Sequence, residues 1–299
     1  MAGKGTELKQ FLAAETAKYR GVAAPVPASW FRRATTSRLP VHKLHPNPDD
    51  EFCSPDIGPN ESIVSRYAGS YSRFGNDFSG GRLAGDAAYE SIVVQKMRPD
   101  GYMILNGHHR WAGAMRAGMD KVPVQIVNLA APAKIKKILA AVRNQKRVTL
   151  DLDEVVFCAS DGEPAEPALR FPWNRLFPQR IRLGIPANFY YLSQHGYDIW
   201  CYTSRFESED QIRKLLKRHH APVTGVITGA ARKDGRGNGA NVSIETMVFR
   251  KYEVTVHVDR KSVLRVNSVS REFREYPLPG ETEWAQELQD AFRKLVSDG

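Results

Sequence analysis

Residues 148–157 read VTLDLDEVVF, an apolar strand pattern that runs straight into Asp151, with Asp153 two places on. A short apolar run of this kind suits a strand buried on both faces, as in a parallel sheet covered by helices. The rest of this half repeats the theme. YDIWCYTS reads as a strand, SEDQIRKLLKRHH as an amphipathic helix and PVTGVIT as a strand. ETMVFRKY then reads as a helix and YEVTVHVD as a strand. Strands alternating with helices predict an α/β unit on a parallel sheet. Period-two geometry is expected to put Asp151 and Asp153 on the same side of the extending chain. They would stand at the carboxyl end of a strand, where open α/β sheets bind ligands. Two carboxylates so close repel unless a cation is present, which points to Mg²⁺.

Three apolar strands ending in Asp-x-Asp, in YTS and in HVD, in that order, make residues 146–299 resemble the haloacid dehalogenase (HAD) superfamily of phosphatases. The resemblance implies an α/β Rossmannoid domain. Asp151 would be the nucleophile that forms an aspartyl-phosphate, and Asp153 the general acid and base. Thr203 would be the second-motif hydroxyl, with Ser204 as the alternative. Asp259 would join Asp151 and Asp153 as a metal ligand, although Arg260 stands where many members carry a second acid. The lysine that neutralises the phosphoryl group is either Lys251, just before the last of these strands, or Lys233, in the polar glycine-rich loop 233–241. The insert DGEPAEPALRFPWNRLFPQRIRLG is short, so only a minimal cap is expected, over a site open to large substrates. Within it Phe171, Trp173, Arg175 and Phe177 form either a stacking platform for bases or a hydrophobic plug.

The second informative stretch is ILNGHHRWAGAMRAG, residues 104–118. A strand pattern meets a glycine, two histidines and an arginine, and helical spacing begins. A helix N-terminus offers unpaired N–H groups and partial positive charge. Gly107 lets an anion approach the backbone, and Arg110 supplies a fork that fits phosphate oxygens. His108 and His109 would add donors that titrate near neutral pH. Together these predict a phosphate pocket. The plainer alternative is a histidine at a strand end and an Arg110 paired with a carboxylate.

VHKLHPNP followed by SIVVQKMRPDGYMILNGHHRWAGAMRAGMDKVPVQIV resembles the ParB/sulfiredoxin superfamily, over about residues 39–129. That resemblance implies an α+β domain in which Gly107, His108, His109 and Arg110 hold the phosphates of a nucleoside triphosphate such as ATP. Asn106 stands where kinase-like members often have aspartate. Asp49, Asp50 and Glu51 lie where such members carry an acidic general base, and Glu51 is the residue named for that role. Histidine in place of the reactive cysteine argues against sulfinic-acid chemistry.

Between these halves PAKIKKILAAVRNQKR reads as a helical linker. The expected organisation is a basic arm over 1–38, a ParB/sulfiredoxin-like domain over 39–130, the linker over 131–147 and a HAD-like domain over 148–299. The 299 residues carry 43 Lys and Arg against 33 Asp and Glu, a formal charge of +10 that favours anionic partners such as nucleotides, DNA or RNA. Cys53, Cys158 and Cys201 are far apart and odd in number, as reduced thiols would be. No apolar run reaches membrane-spanning length and no signal core is visible, so a cytoplasmic protein is expected. The predicted function is a bifunctional phosphotransfer enzyme: a Mg²⁺-dependent phosphatase joined to a nucleotide-binding domain with kinase or nucleotidase activity, acting on nucleic acid ends or nucleotides. The alternatives are a nucleotide-gated DNA-binding module with an accessory phosphatase domain, and a small-metabolite kinase or phosphatase.

Overall fold

The computed structural model describes residues 3–19, 21–75, 77, 78, 81, 85–229, 244, 246–280 and 283–298. The chain divides into two units, Met1–Asn128 and Leu129–Gly299.

The first unit contains α1 (Gly3–Tyr19), β1 (Ala24–Pro25), α2 (Trp30–Thr35), β2 (Arg38–Pro40), β3 (Leu44–His45) and α3 (Glu61–Phe74). They are followed by β4 (Ile92–Arg98), β5 (Tyr102–Asn106), α4 (His108–Arg116) and β6 (Lys121–Ile126). Its sheet runs β2-β6-β4-β5-β3, with β1 alongside β4. β4 is antiparallel to β5 and parallel to β6, so this is a mixed α+β layer. Asn60 starts α3 by accepting from the N–H groups of Ser62 and Ile63, an ordinary side-chain cap. α3 and α4 approach closely at Gly113, where a Cβ would stand 2.7 Å from the Cβ of Tyr67. Val41–Lys43 form a 3-10 turn ahead of β3.

The N-terminal segment is not a loose arm. α1 buries Leu12 and Tyr19 against the unit. Glu15 Oε1 lies 2.8 Å from His45 Nδ1, and the Tyr19 hydroxyl donates to Asp100.

The second unit contains α5 (Pro132–Ala141), β7 (Lys146–Asp151), α6 (Trp173–Leu176), α7 (Ile185–Gln194), β8 (Tyr197–Thr203) and α8 (Glu209–Arg218). β9 (Gly225–Thr228), β10 (Val254–Val258), β11 (Ser262–Asn267), β12 (Glu272–Pro277) and α9 (Trp284–Ser297) complete it. The sheet order is β12-β11-β10-β7-β8-β9. β10, β7, β8 and β9 are mutually parallel. β11 and β12 add an antiparallel pair at one side, so the sheet is mixed rather than purely parallel.

Period-two alternation sends successive β8 residues to opposite faces. Ile199 and Cys201 join a core with Phe189, Leu216 and Phe292. Trp200 faces the other way, onto Ile135 of α5 and Ile227. Both faces are therefore covered. α5 is part of this cover and not a free linker: Ile135 is buried in it, and Lys134 pairs with Glu209 of α8. Cys53, Cys158 and Cys201 are all free thiols. Among the described residues no helix is long and apolar enough to cross a membrane.

Candidate functional site

Register decides what meets at the carboxyl edge of the second sheet. β7 pairs with β8 through Asp151–Tyr202, which brings Thr203 to the same edge. β7 and β10 end on the pair Leu150–Val258, so Asp151 and Asp259 are each the next residue beyond it. The strand stops at Asp151. Residues Leu152–Val156 coil into a five-residue π-type turn that Asp151 caps. Its Oδ1 accepts from the N–H groups of Asp153 at 2.8 Å and Glu154 at 2.9 Å. Asp153 therefore reaches the site from inside a turn and not by strand alternation. Oδ2 of Asp151 accepts no hydrogen bond from the described residues.

Asp153 is held from two sides. The Thr203 hydroxyl donates to its Oδ2 at 2.6 Å, and Nε of Arg205 lies 3.2 Å from its Oδ1. The Arg205 N–H in turn donates to Thr203 Oγ1 at 3.0 Å. Glu207 belongs to the same group: burial first, and then the Asp153 charge, raise its carboxyl above the ordinary range, against the pull of Arg205. Arg205 and Glu207 were missed in the sequence. Their signal was position alone, two and four residues after Thr203.

Two expectations fail here. Lys251 precedes β10, at the amino end of the sheet; the whole strand Val254–Val258 lies between it and Asp259, roughly 16 Å of extended chain. It cannot neutralise a group at Asp151. The other candidate, Lys233, lies outside the described residues. Nor do Asp151, Asp153 and Asp259 form a three-carboxylate centre. Among the described residues no group of three His, Cys, Asp or Glu side chains could hold a metal ion; Asp153 is engaged by Arg205 and Thr203. The aromatic insert divides between its two readings: Phe177 is buried in the core, whereas Phe171 is 73% exposed and Trp173 37% exposed.

In the first unit, Gly107 is the N-cap of α4 with φ 100° and no side-chain cap, a left-handed conformation that glycine adopts without strain. The first intrahelical bond is Trp111 N–H to Gly107 carbonyl. The amides of His108, His109 and Arg110 precede it, as an anion-accepting helix end requires.

The histidines do something the sequence did not suggest. The Asn47 N–H donates to Nε2 of His108 at 3.1 Å, and the Asn60 N–H donates to Nε2 of His109 at 3.1 Å. A ring nitrogen that accepts from an amide carries no proton, so both imidazoles are neutral in this arrangement. They pin the 47–60 loop to the mouth of α4, with Phe52 packed on both rings. Burial depresses His108 to about 4, against the opposing charge of Asp50; burial lowers His109 as well. The acid brought to the histidines is Asp50, 3.6 Å from His108 Nδ1. Glu51, named from the sequence, is exposed in the adjoining 3-10 turn.

Arg110 is buried and ion-paired with Glu90 at 2.7 Å, and it donates to Asn106 Oδ1 at 3.4 Å. Glu90 is 70% exposed on its side chain. It lines a cleft of about 410 Å³ with Gly85, Asp86, Tyr89 and Ser91.

The His108 geometry has a pH consequence. The unfolded residue titrates near 6.5 and the folded one near 4. Protons therefore favour the unfolded chain, and stability present at pH 7 is lost as pH falls from about 6.5 toward about 4. The expected loss is roughly 3 kcal/mol at most. Thermal melts between pH 7 and 4.5 should show it, and His108→Gln should flatten the dependence. An unchanged slope in that variant would remove His108 as the cause.

A family model, the ParB N-terminal domain, matches residues 84–143. The match covers the last part of the first unit, from residue 84, and runs on through α5 of the second; over that stretch the chain is ParB-like. The C-terminally truncated chromosome-partitioning protein ParB from Caulobacter crescentus, solved with the centromeric parS site, is 24% identical, with 36% of this chain and 51% of that chain covered and a TM-score of 0.23. The same protein solved with CTP-gamma-S is 25% identical, covering 35% of this chain and 51% of that one, also with a TM-score of 0.23. The match thus spans about half of those chains. No curated protein matches.

Proposed function

We propose that the second unit is a HAD-type phosphohydrolase and that the ParB-like unit binds a nucleoside triphosphate. What carries the first half is the convergence of Asp151, a doubly held Asp153 and Asp259 on one carboxyl edge. Two amides fix Asp151 through Oδ1 and leave Oδ2 open to attack phosphorus. The bond to the leaving oxygen breaks as an aspartyl-phosphate forms, and Asp153 in its protonated form gives that oxygen a proton. Asp153 then takes a proton from water, which attacks phosphorus and frees Asp151. Thr203 and Arg205 orient Asp153 throughout.

With Oδ2 of Asp151 given to phosphorus, the carboxylate of Asp259 is the hard donor left to hold Mg²⁺. When bound, the ion would neutralise phosphoryl charge.

The test is phosphate release from 3′- and 5′-phosphorylated oligonucleotides and from mononucleotides, with Mg²⁺ and with EDTA. Release from oligonucleotides or nucleotides supports the reading; no release from any substrate in Mg²⁺ defeats it.

For the first unit, the uncapped helix mouth and Arg110 support triphosphate binding. Glu90 now occupies the guanidinium, so the ligand must displace it. The Caulobacter ParB was solved with CTP-gamma-S, so CTP joins ATP in the binding panel. Arg110→Ala is expected to weaken triphosphate binding about tenfold or more, read by calorimetry. Equal affinity in the variant would exclude Arg110 from the pocket. Kinase or nucleotidase turnover in this unit is read from ADP release with and without hydroxyl acceptors. The second reading, a nucleotide-gated DNA-binding module, is favoured by the ParB family match; it gains if triphosphate binds without turnover and changes DNA affinity.

A further inference from the structure

The insert between the π-type turn and α7 leaves aromatic rings on the surface, each beside a guanidinium. Arg175 Cζ stands 5.6 Å from the centre of the Phe171 ring. Arg218, the last residue of α8, lies 3.2 Å over Trp173, whose ring also stacks on buried Phe177. Trp173 is thus engaged by both Arg218 and Phe177 and serves as the foundation. Phe171 stands clear of the core, 73% exposed. The surroundings are cationic: residues 169–180 carry Arg170, Arg175 and Arg180 without one acidic residue, and Lys217 and Arg218 are exposed beside them. Of these arginines, Arg180 is paired with Asp161.

The patch is not part of the catalytic edge. α8 leads from the carboxyl end of β8 to the amino end of β9. Its ten residues put Arg218 roughly 15 Å along the axis from the end near Thr203.

We propose that this face binds single-stranded nucleic acid. An unstacked base lies on the open ring of Phe171, and the flanking phosphates meet Arg170, Arg175 and Arg218. A ring with a free face beside planar guanidinium forks suits a polymer that alternates π-faces with phosphates. A duplex offers the phosphates but keeps its base faces stacked inside, and an acidic peptide offers charge without the faces. The inference rests on ring exposure and charge in this unit and is independent of the role of Asp151.

Fluorescence anisotropy of the full chain with labelled, unphosphorylated dT20, U20 and a 20-base-pair duplex tests it. Phe171→Ala is expected to weaken single-strand binding about tenfold and leave duplex binding unchanged. Phe171→Tyr should retain affinity, and Arg175→Glu should weaken binding. The dT20 and U20 arms decide between DNA and RNA as the preferred strand. Absence of single-strand binding, or equal affinity in wild type, Phe171→Ala and Arg175→Glu, overturns the proposal. Displacement of dT20 by polyglutamate equally well from wild type and Phe171→Ala would assign the patch to an acidic protein and also overturn it. Hydrolysis of p-nitrophenyl phosphate in the same variants should stay at the wild-type rate. A protein that releases no phosphate from any of these esters or nucleotides in Mg²⁺ but binds dT20 through Phe171 would sink the phosphatase reading alone.

Discussion

Asp151→Asn is expected to lower phosphate release by on the order of 10³-fold or more while the protein stays folded. The two halves of that expectation have separate causes. Asparagine keeps a carbonyl-type Oδ1, so the amides of Asp153 and Glu154 retain their acceptor. Asn and Asp cap turns about equally well, and the π-type turn should persist. The second oxygen becomes an amide nitrogen that donates and cannot attack phosphorus. Asp151→Ala would lose the cap as well, at about 1 kcal/mol, and would confuse the two effects. Parallel measurements of phosphate release and thermal melting separate them. Substantial release from the asparagine variant would mean that Asp151 is not the nucleophile, whatever the fold.

The largest stability effect is expected at Arg182. It is 5% exposed and holds the turn that carries Asp153. Nε donates to the carbonyl of Val155, and Nη2 to those of Glu154 and Phe157. Nη1 meets Glu163 at 2.8 Å. Methionine keeps an unbranched apolar stem of the kind that leads to the guanidinium, but it is shorter and supplies no donor. Three carbonyls and a carboxylate that is only 18% exposed would lose their partner. Removing one side of a buried ion pair costs about 3–5 kcal/mol. The Arg260 contact to Glu163, at 3.3 Å, softens the loss at that carboxylate only. Arg182→Met should therefore shift the urea midpoint markedly, and the folded fraction should turn over more slowly because Asp153 loses its support. Arg182→Lys should recover little, since one ammonium cannot replace a fork with this spread of acceptors. A midpoint within about 1 kcal/mol of wild type in stability would show that water replaces these bonds without strain.

Much of the local structure was legible in the chain. YDIWCYTS and YEVTVHVD carry β8 and β10; β8 ends at Thr203 and β10 one residue before Asp259. Gly107, where helical spacing begins, marks the start of α4. These signals are local: a cap, a period or a left-handed glycine shows in neighbouring residues. What was misread depended on distant ones. The β11–β12 pair and α9 had no assignment, and the 132–141 helix passed for a linker until Trp200 and Ile227 showed what its Ile135 faces. Lys251 looked plausible because it precedes a strand that ends in Asp259, but the parallel register of β10 on β7 puts it at the wrong end.

The sequence by itself determined where the strands end and which polar side chains they deliver to those ends, because side-chain alternation, caps and turn glycines act within a few residues. Only the tertiary structure decided what those side chains meet. His108 meets an amide 61 residues away, Arg110 meets Glu90, and Asp153 meets Thr203, 50 residues on. A histidine reads as a donor until packing supplies an N–H that makes it an acceptor. An arginine reads as a phosphate fork until a carboxylate comes within hydrogen-bonding distance. Those encounters are set by how the layers pack, which no spacing along the chain encodes.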